Sequence, residues 1–78
     1  MKFLNKICFI DSKDYINKKG TSPYLYVYSI EKSVIKYVDI NGNYNQMFLN
    51  KAWAHKNIEI LDPPPKHLIK DFIKNILK

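Results

Sequence analysis

Three consecutive prolines divide the chain into two parts with different hydrophobic patterns. They follow Asp62 and occupy positions 63–65. Because prolines fix an extended backbone and lack a backbone donor, we expect no helix or inner strand to continue through them. Before this Pro-rich stop, residues 1–61 alternate β-forming runs with turn residues, and after it residues 66–78 have helical spacing. A chain of 78 residues has room for one core, so both parts must contribute to it.

Residues 66–78 predict an amphipathic helix. Its apolar residues are spaced by one and three positions and fall on one side of a helical wheel: Leu68, Ile69, Phe72, Ile73, Ile76 and Leu77. Its lysines recur every four residues along the other side: Lys66, Lys70, Lys74 and Lys78. A helix of about thirteen residues is not stable alone in water, so its apolar face needs a cover. Three arrangements are open: packing on the rest of the chain, which we favour, pairing with a second copy in a homodimer, or binding to an anionic membrane surface.

Residues 24–49 predict consecutive strands joined by tight turns. The run at 24–30 is rich in tyrosine and aliphatic residues, and after a short polar break a second run follows at 34–40. Asn41 and Gly42 come next, and because both tolerate a positive φ, this pair is a strong hairpin signal. We therefore expect the returning strand at 43–49.

Four shorter segments complete the predicted fold. Residues 58–60 predict a last strand, and residues 50–56 predict one helical turn before it. Residues 13–17 are expected to form the first strand of a barrel, and residues 3–10 an extra strand at its edge. Five short strands at this spacing are typical of a small SH3-like barrel. The predicted fold is therefore mainly β: a five-stranded SH3-like β-barrel over residues 1–61 with a C-terminal amphipathic α-helix.

A sequence resemblance over residues 16–61 agrees with this fold. A glycine-containing turn at 19–23 ends in proline, and Leu25 and Val27 stand as the core pair of the next strand. The pattern is completed further along the chain by Ile35, Tyr37, Val38, Asp39, Phe48 and Trp53. In these positions the chain resembles the YodC-like group of small bacterial proteins. The resemblance implies an SH3-like barrel in which Leu25 and Val27 point inward. It implies no particular activity, because none is assigned to that family.

The alternation along the first of these strands predicts a row of outward tyrosines. If Leu25 and Val27 point inward, the residues between and before them point outward: Tyr24, Tyr26 and Tyr28. Tyrosine offers a large, rigid contact area and is enriched in protein interfaces. With Lys36 on the neighbouring strand, the row is our candidate partner-binding surface. The alternative is that the C-terminal helix or the amino-terminal residues cover the row.

The charge of the chain is positive and comes from one residue type. Thirteen lysines and no arginine stand against seven acidic residues, for a net charge of +6. Arginine suits base edges and phosphates better than lysine does, so we interpret the charge mainly as a solvated surface. The alternative function is non-specific nucleic-acid binding through scattered lysines beside the aromatic residues: Lys18, Lys19, Lys32, Lys36 and Lys56.

Cysteine and histidine form no recognisable site in the sequence. Cys8 is the single cysteine, so no internal disulfide forms, which fits a reducing, cytoplasmic location. Together with His55 and His67 it lacks the paired spacing of a zinc site, and no nucleophile motif is present. No stretch approaches the about 20 apolar residues that span a bilayer. We therefore expect no enzyme activity, cofactor, metal or membrane span.

These observations together predict a small, non-enzymatic protein-binding module whose partner the sequence does not identify. Its small size, and a composition rich in lysine, asparagine, isoleucine and tyrosine, favour a phage or mobile-element origin.

Overall fold

Five strands form one antiparallel sheet, with three helices packed against it. The computed structural model describes residues 2–76. The elements in chain order are β1 (Ile7–Ile10), α1 (Lys13–Lys19), β2 (Tyr24–Glu31), β3 (Val34–Asp39), β4 (Tyr44–Phe48), α2 (Lys51–Asn57), β5 (Ile58–Ile60) and α3 (Lys66–Ile76). The strand order is β4-β3-β2-β1-β5, and each neighbouring pair is antiparallel. The predicted mainly β class is confirmed. Four of the five predicted barrel strands are present as β2 to β5, and the fifth strand of the sheet, β1, lies in the segment expected to form an extra edge strand.

The sheet is open, which differs from the expected barrel. β4 and β5 lie at its two edges, and in the part of the chain that the structure describes they do not pair with each other. β1 pairs with both β2 and β5, so β5 forms the edge of the sheet opposite β4. Closure into an SH3-like barrel is therefore not confirmed.

The prediction of a first barrel strand at residues 13–17 is wrong, because this segment belongs to helix α1. Ser12 begins the helix by accepting a hydrogen bond from the Tyr15 backbone N–H, with an N···O distance of 3.3 Å. Gly20 ends it in the left-handed conformation, with a φ of 65° and its N–H on the Ile16 carbonyl. These end signals outweigh the β propensity of Tyr15 and Ile16, both of which pack against the core.

The expectation of an extra edge strand at residues 3–10 is wrong in extent and in position. β1 covers the second half of this segment and lies inside the sheet, between β2 and β5. Before β1 the chain turns at Asn5, which has a φ of 60°, and Phe3 is buried in the core. An inner position explains the composition of β1, because Cys8 and Ile10 are both buried on one face of the sheet.

The elements that begin and end within one residue of their predicted bounds are β2, β3, β4, α2 and β5. Asn41 and Gly42 lie in the connection between β3 and β4, as expected. Gly42 has a φ of 88°, and a Cβ at this position would lie 2.9 Å from the Asn75 carbonyl oxygen of α3. Both observations require glycine here. The turn between β2 and β3 uses Lys32 and Ser33 at positive φ, 47° and 65°.

The hydrophobic core lies on one face of the sheet, which we call the inner face. Leu25 and Val27 of β2 are buried there, as expected. The largest fully buried side chains of this core are Tyr37, Ile10, Leu25, Ile35 and Val27. Two helices close this face, α1 with Tyr15 and Ile16, and α2 with Trp53 and Ala54.

Helix α3 packs on the opposite side of the sheet, which we call the outer face. Its Leu68 and Phe72 are buried. Val38 of β3 is buried on the same side, facing Phe72. Asn75 of α3 donates a hydrogen bond from Nδ2 to the carbonyl oxygen of Ile40, at 2.7 Å. The helix is thus held both by apolar contacts and by a bond to the end of β3.

Helix α3 corresponds to the helix predicted for residues 66–78, of which Leu77 and Lys78 lie outside the described residues. The lysines of its described part are exposed: Lys66, Lys70 and Lys74. Ile69 and Ile73 also remain exposed beside the sheet, so pairing of two copies through this helix stays a prediction. Among residues 2–76, no helix combines the length and apolar character needed to cross a membrane.

Candidate protein-binding surface

Helix α3 leaves only part of the predicted tyrosine row exposed. Tyr24 is half-buried and packs on Phe9, with ring centroids 5.3 Å apart. Tyr26 is half-buried on the outer face, beside Phe72 of the helix. Tyr28 is 41% exposed. The tyrosine row is therefore neither fully exposed nor fully covered: Tyr24 and Tyr26 are partly covered, and Tyr28 is exposed.

A β-bulge in β2 separates Tyr28 from the other two tyrosines. The pairing register between β2 and β3 shifts between Val27 and Ser29, which leaves Tyr28 as the extra residue. Its ring meets Tyr44 of β4 edge to face, with centroids 5.8 Å apart and an interplanar angle of 71°. Tyr44 is itself 63% exposed. Tyr28 thus joins a surface centred on β4.

Strand β4 contributes residues that sequence reasoning missed. Tyr44, Gln46 and Phe48 are exposed, whereas Met47 between them is buried in the core. Phe48 is 83% exposed. Lys36 of β3 pairs with Gln46 and lies half-buried between the two aromatic ends of β4. We call Tyr28, Lys36, Tyr44 and Phe48 the outer band. The period-two alternation of β4 was the signal that would have revealed its part of the band.

An apolar groove of about 510 Å³ runs between α3 and the outer face. Ile69 and Ile73 line it from the helix, Tyr28 and Tyr44 from the sheet, and Val38 forms part of its floor. Ile73 is 53% exposed. The helix therefore lies on the outer face without sealing it, and the groove continues the apolar surface of the outer band.

A second groove, of about 360 Å³, follows the free edge of β4, and we call it the edge groove. Tyr15 of α1 and Trp53 of α2 form its inner side, with ring centroids 5.5 Å apart. Phe48 stands at its outer side. The amine of Lys19 reaches into it and donates a hydrogen bond to the Gln46 carbonyl oxygen at 3.4 Å. The edge groove thus combines aromatic walls with one cation.

Behind the edge groove, the hydroxyls of Tyr15 and Tyr37 share a hydrogen bond of 2.7 Å. Burial raises the pKa of Tyr15, and its hydrogen bond and charge interaction with Tyr37 raise it further. Burial also raises the pKa of Tyr37, although hydrogen bonds with Tyr15 and Thr21 lower it in part. Both phenols therefore stay neutral near pH 7, and the pair joins α1 to β3 without supplying a base.

Asp39 is a buried carboxylate whose hydrogen bonds hold two loops together. Its Oδ1 accepts hydrogen bonds from the backbone N–H groups of Asn41 and Asn43, both at 2.9 Å. Its Oδ2 accepts from the Ser22 backbone at 3.0 Å and from the Thr21 hydroxyl at 3.1 Å. Burial raises the pKa of Asp39, but the hydrogen bonds from Ser22, Asn43 and Thr21 lower it by more, and the pKa lies below its ordinary value of 3.8. The carboxylate ties the turn before β2 to the loop after β3.

The cysteine and the histidines lie apart from both grooves' aromatic walls. Cys8 is buried in the core, and burial raises the pKa of its thiol to about 11, so the thiol is protonated at neutral pH. His55 of α2 and His67 of α3 are exposed. Within residues 2–76, no three His, Cys, Asp or Glu side chains are grouped as a metal site requires.

The alternative nucleic-acid surface comprises five lysines, of which Lys36 lies on β3 and the other four lie on three further parts of the chain. Lys18 and Lys19 belong to the last turn of α1, and Lys56 to the last turn of α2. Lys32 lies in the turn between β2 and β3. All four are exposed, and Lys19 is engaged with β4 at the edge groove.

Comparison with protein-family models, with curated proteins and with solved structures found no match to this chain. The resemblance to the YodC-like group therefore stays a prediction. The function has to be argued from the surfaces themselves.

Proposed function

We propose that this protein is a small, non-enzymatic, cytoplasmic protein-binding module whose contact surface is the outer band. The observation that carries the proposal is the exposure of Tyr44 and Phe48 on a sheet face that already has a helix packed on it. Helix α3 covers the centre of that face and leaves these rings to solvent. Exposed apolar surface of this kind on a small domain is typical of an interaction site.

The geometry of the outer band suits the binding of a protein. Tyr28 and Tyr44 hold each other in an edge-to-face contact, so their rings lose little freedom when a partner covers them. Phe48 lies four residues along β4 from Tyr44, roughly 13 Å away at the rise of a strand. Lys36 adds a charged donor between the two aromatic ends. A partner would thus contact two apolar anchors separated by a polar centre.

The groups that elsewhere perform catalysis have other roles in this chain. Asp39 is buried and accepts hydrogen bonds on both oxygens, and Cys8 is a buried, protonated thiol. The hydroxyls of Tyr15 and Tyr37 bond to each other. These observations support binding rather than chemistry as the function.

The SH3-like classification also remains a proposal. The number of strands and the helix that leads directly into β5 support it. The pairing between the first and last strands of the sheet order is the feature that a closed barrel would add.

Affinity capture from a lysate of the native host tests the proposed function. We compare the wild-type chain with a double variant, Tyr44→Ser with Phe48→Ser, which removes the exposed rings of β4. The matched control is Leu4→Ser, an exposed apolar residue of the amino-terminal turn, outside the outer band. We expect the double variant to lose a protein that wild type and control both retain. Capture of the same proteins by all three would contradict the proposal.

Non-specific nucleic-acid binding predicts a different result. Its affinity for labelled single- and double-stranded oligonucleotides would be high at low ionic strength and would fall steeply with added salt. It would weaken in a Lys32→Ala, Lys56→Ala variant and persist in the double aromatic variant. That pattern would replace the proposed function by the alternative.

A further inference from the structure

The free edge of β4 exposes the backbone groups of alternate residues. Two hydrogen bonds at the ends of β4 point toward β3: the Asp39 N–H donates to the Asn43 carbonyl at 2.9 Å, and the Leu49 N–H donates to the Ser33 carbonyl at 2.7 Å. Antiparallel strands alternate the direction of their backbone groups. The groups that point away from β3, toward the open edge, therefore belong to the residues between these ends: Tyr44, Gln46 and Phe48.

Two side chains occupy the central position of this edge in the way a strand would. The Lys19 amine donates to the Gln46 carbonyl oxygen at 3.4 Å, and the Asn45 Oδ1 accepts from the Gln46 N–H at 2.9 Å. One donor and one acceptor at one residue are what the backbone of an added antiparallel strand supplies. Both bonds are exposed, so they protect the edge and can be exchanged for backbone bonds at small cost.

Both sides of this edge offer apolar contacts to alternate side chains of an added strand. On the inner side, the edge groove presents Tyr15 and Trp53. On the outer side, Tyr44 and Phe48 stand exposed. Strand addition of this kind takes its affinity from backbone hydrogen bonds and its specificity from contacts of alternate side chains.

The charges around the edge favour an acidic strand. β4 itself carries no charged residue, and the cations beside Gln46 are Lys19 at the edge and Lys36 on β3. The whole chain has a net charge of +6. When an added strand displaces Lys19 from the Gln46 carbonyl, its amine becomes available to a carboxylate of that strand.

We propose that the open edge of β4 binds an extended, acidic segment of a partner protein by strand addition. This inference rests on the proposed protein-binding function and names the form of the bound segment. A second copy of this chain fits less well, because two copies would bring their Lys19 and Lys36 side chains to one shared edge.

The deciding variant is Gln46→Pro, with Gln46→Ala as its matched control. Proline removes the N–H that faces the open edge and leaves the bonds between β4 and β3 in place, which is the position where a strand tolerates proline. A displayed library of random short peptides is selected on the immobilised wild-type protein. We expect the selected peptides to alternate apolar residues with Asp or Glu. Their Kd should rise about tenfold or more with Gln46→Pro and change by less than about twofold with Gln46→Ala.

A second pair of variants keeps the test decisive if Gln46→Pro does not fold. Lys19→Glu should weaken the selected peptides about tenfold, whereas Lys18→Glu, the same charge change one residue away in α1, should change their Kd by less than about threefold. An empty selection, peptides without acidic residues, or equal binding by Gln46→Pro would overturn the inference. A dimer in sedimentation that Gln46→Pro converts to monomer would assign the edge to a second copy instead.

The failures of the two proposals are distinguishable. If the Tyr44→Ser, Phe48→Ser variant loses a captured protein while Gln46→Pro retains it, the protein binds through the outer band without strand addition. The proposed function then stands and the strand-addition inference is overturned.

Discussion

On the inner face two short helices close over the sheet, whereas on the outer face one longer helix crosses it and leaves a groove. Inner residues such as Leu25 and Tyr37 are completely buried. Outer residues range from buried Val38 to Phe48, which is almost fully exposed. The same five strands thus carry a buried core on one side, open at the edge groove, and a partly covered surface on the other.

This difference separates folding from binding in a very small chain. A chain of this size buries only roughly 60% of its unfolded surface, so a second sealed core is not expected. The inner face supplies the core, and α3 buries Leu68 and Phe72 without using all the apolar residues that remain. Those left over, on β4 and on the exposed side of α3, are the ones available to a partner. Substitutions on the inner face should therefore affect mainly stability, and substitutions on the outer face should affect mainly binding.

The largest effect on stability is expected at the centre of the inner face. Leu25→Ala removes three buried carbons from a site with no exposed surface, and we expect it to lower the free energy of unfolding by about 2–5 kcal/mol. Urea denaturation measures this loss. The control is Leu4→Ala, the same substitution at an exposed leucine, which should cost less than about 1 kcal/mol. Equal losses for the two variants would contradict a core confined to the inner face.

The next effect concerns the buried carboxylate at one end of the inner face. Asp39→Asn replaces one acceptor oxygen by an amide that faces backbone N–H donors, so we expect a loss of about 2 kcal/mol at pH 7. Because the pKa of Asp39 in the folded protein lies below its ordinary value of 3.8, its carboxylate contributes stability above that pH. This contribution decreases as the pH falls through the folded pKa.

Urea denaturation across a pH series measures whether the stabilisation by Asp39 decreases toward acid. The difference in unfolding free energy between wild type and Asp39→Asn should be constant near pH 7 and shrink below about pH 4. Thr21→Val serves as a comparison, since it removes one of the hydrogen bonds and leaves the charge. A difference that grows toward acid would contradict the direction of the pKa shift.

The sequence predicted best what depends on local periodicity. The alternation of β2 and the helical spacing of α3 were strong enough to place both elements, including the burial of Leu25 and Val27. The prediction of a strand at residues 13–17 failed because two local signals conflict there. Residues with β propensity lie between a serine N-cap and a glycine C-cap. The capping residues determine the secondary structure here, because in so short a helix they satisfy a large share of the backbone groups.

The candidate site was harder to predict because it depends on contacts between distant parts of the chain. The inner position of β1 depends on its pairing with β5, about fifty residues later. The exposure of Phe48 and the covering of Tyr26 depend on where α3 crosses the outer face, and the covering of Tyr24 depends on Phe9 of the neighbouring strand β1. Local alternation shows that two residues share a face, but not whether another element covers that face.

The smallest of the three stability effects is expected on the outer face, at Phe72. Truncating a buried phenylalanine in a sealed core costs about 3–5 kcal/mol, in part because the cavity persists. Phe72 lies beside an open groove, where Ile69 and Ile73 have room to move and water can enter. We therefore expect Phe72→Ala to lower the free energy of unfolding by only about 1–2 kcal/mol, with faster hydrogen exchange confined to α3.

Hydrogen exchange of the Phe72→Ala variant, measured together with urea denaturation, decides how separate the two faces are. If α3 exchanges faster while β1 to β3 keep their protection, the helix opens independently of the inner core. A loss as large as that of Leu25→Ala, with faster exchange throughout the sheet, would show that the outer face is part of one cooperative core. In that case the outer band would contribute to stability as well as to binding. Substitutions of its exposed rings would then lower the free energy of unfolding as well as the affinity for a partner.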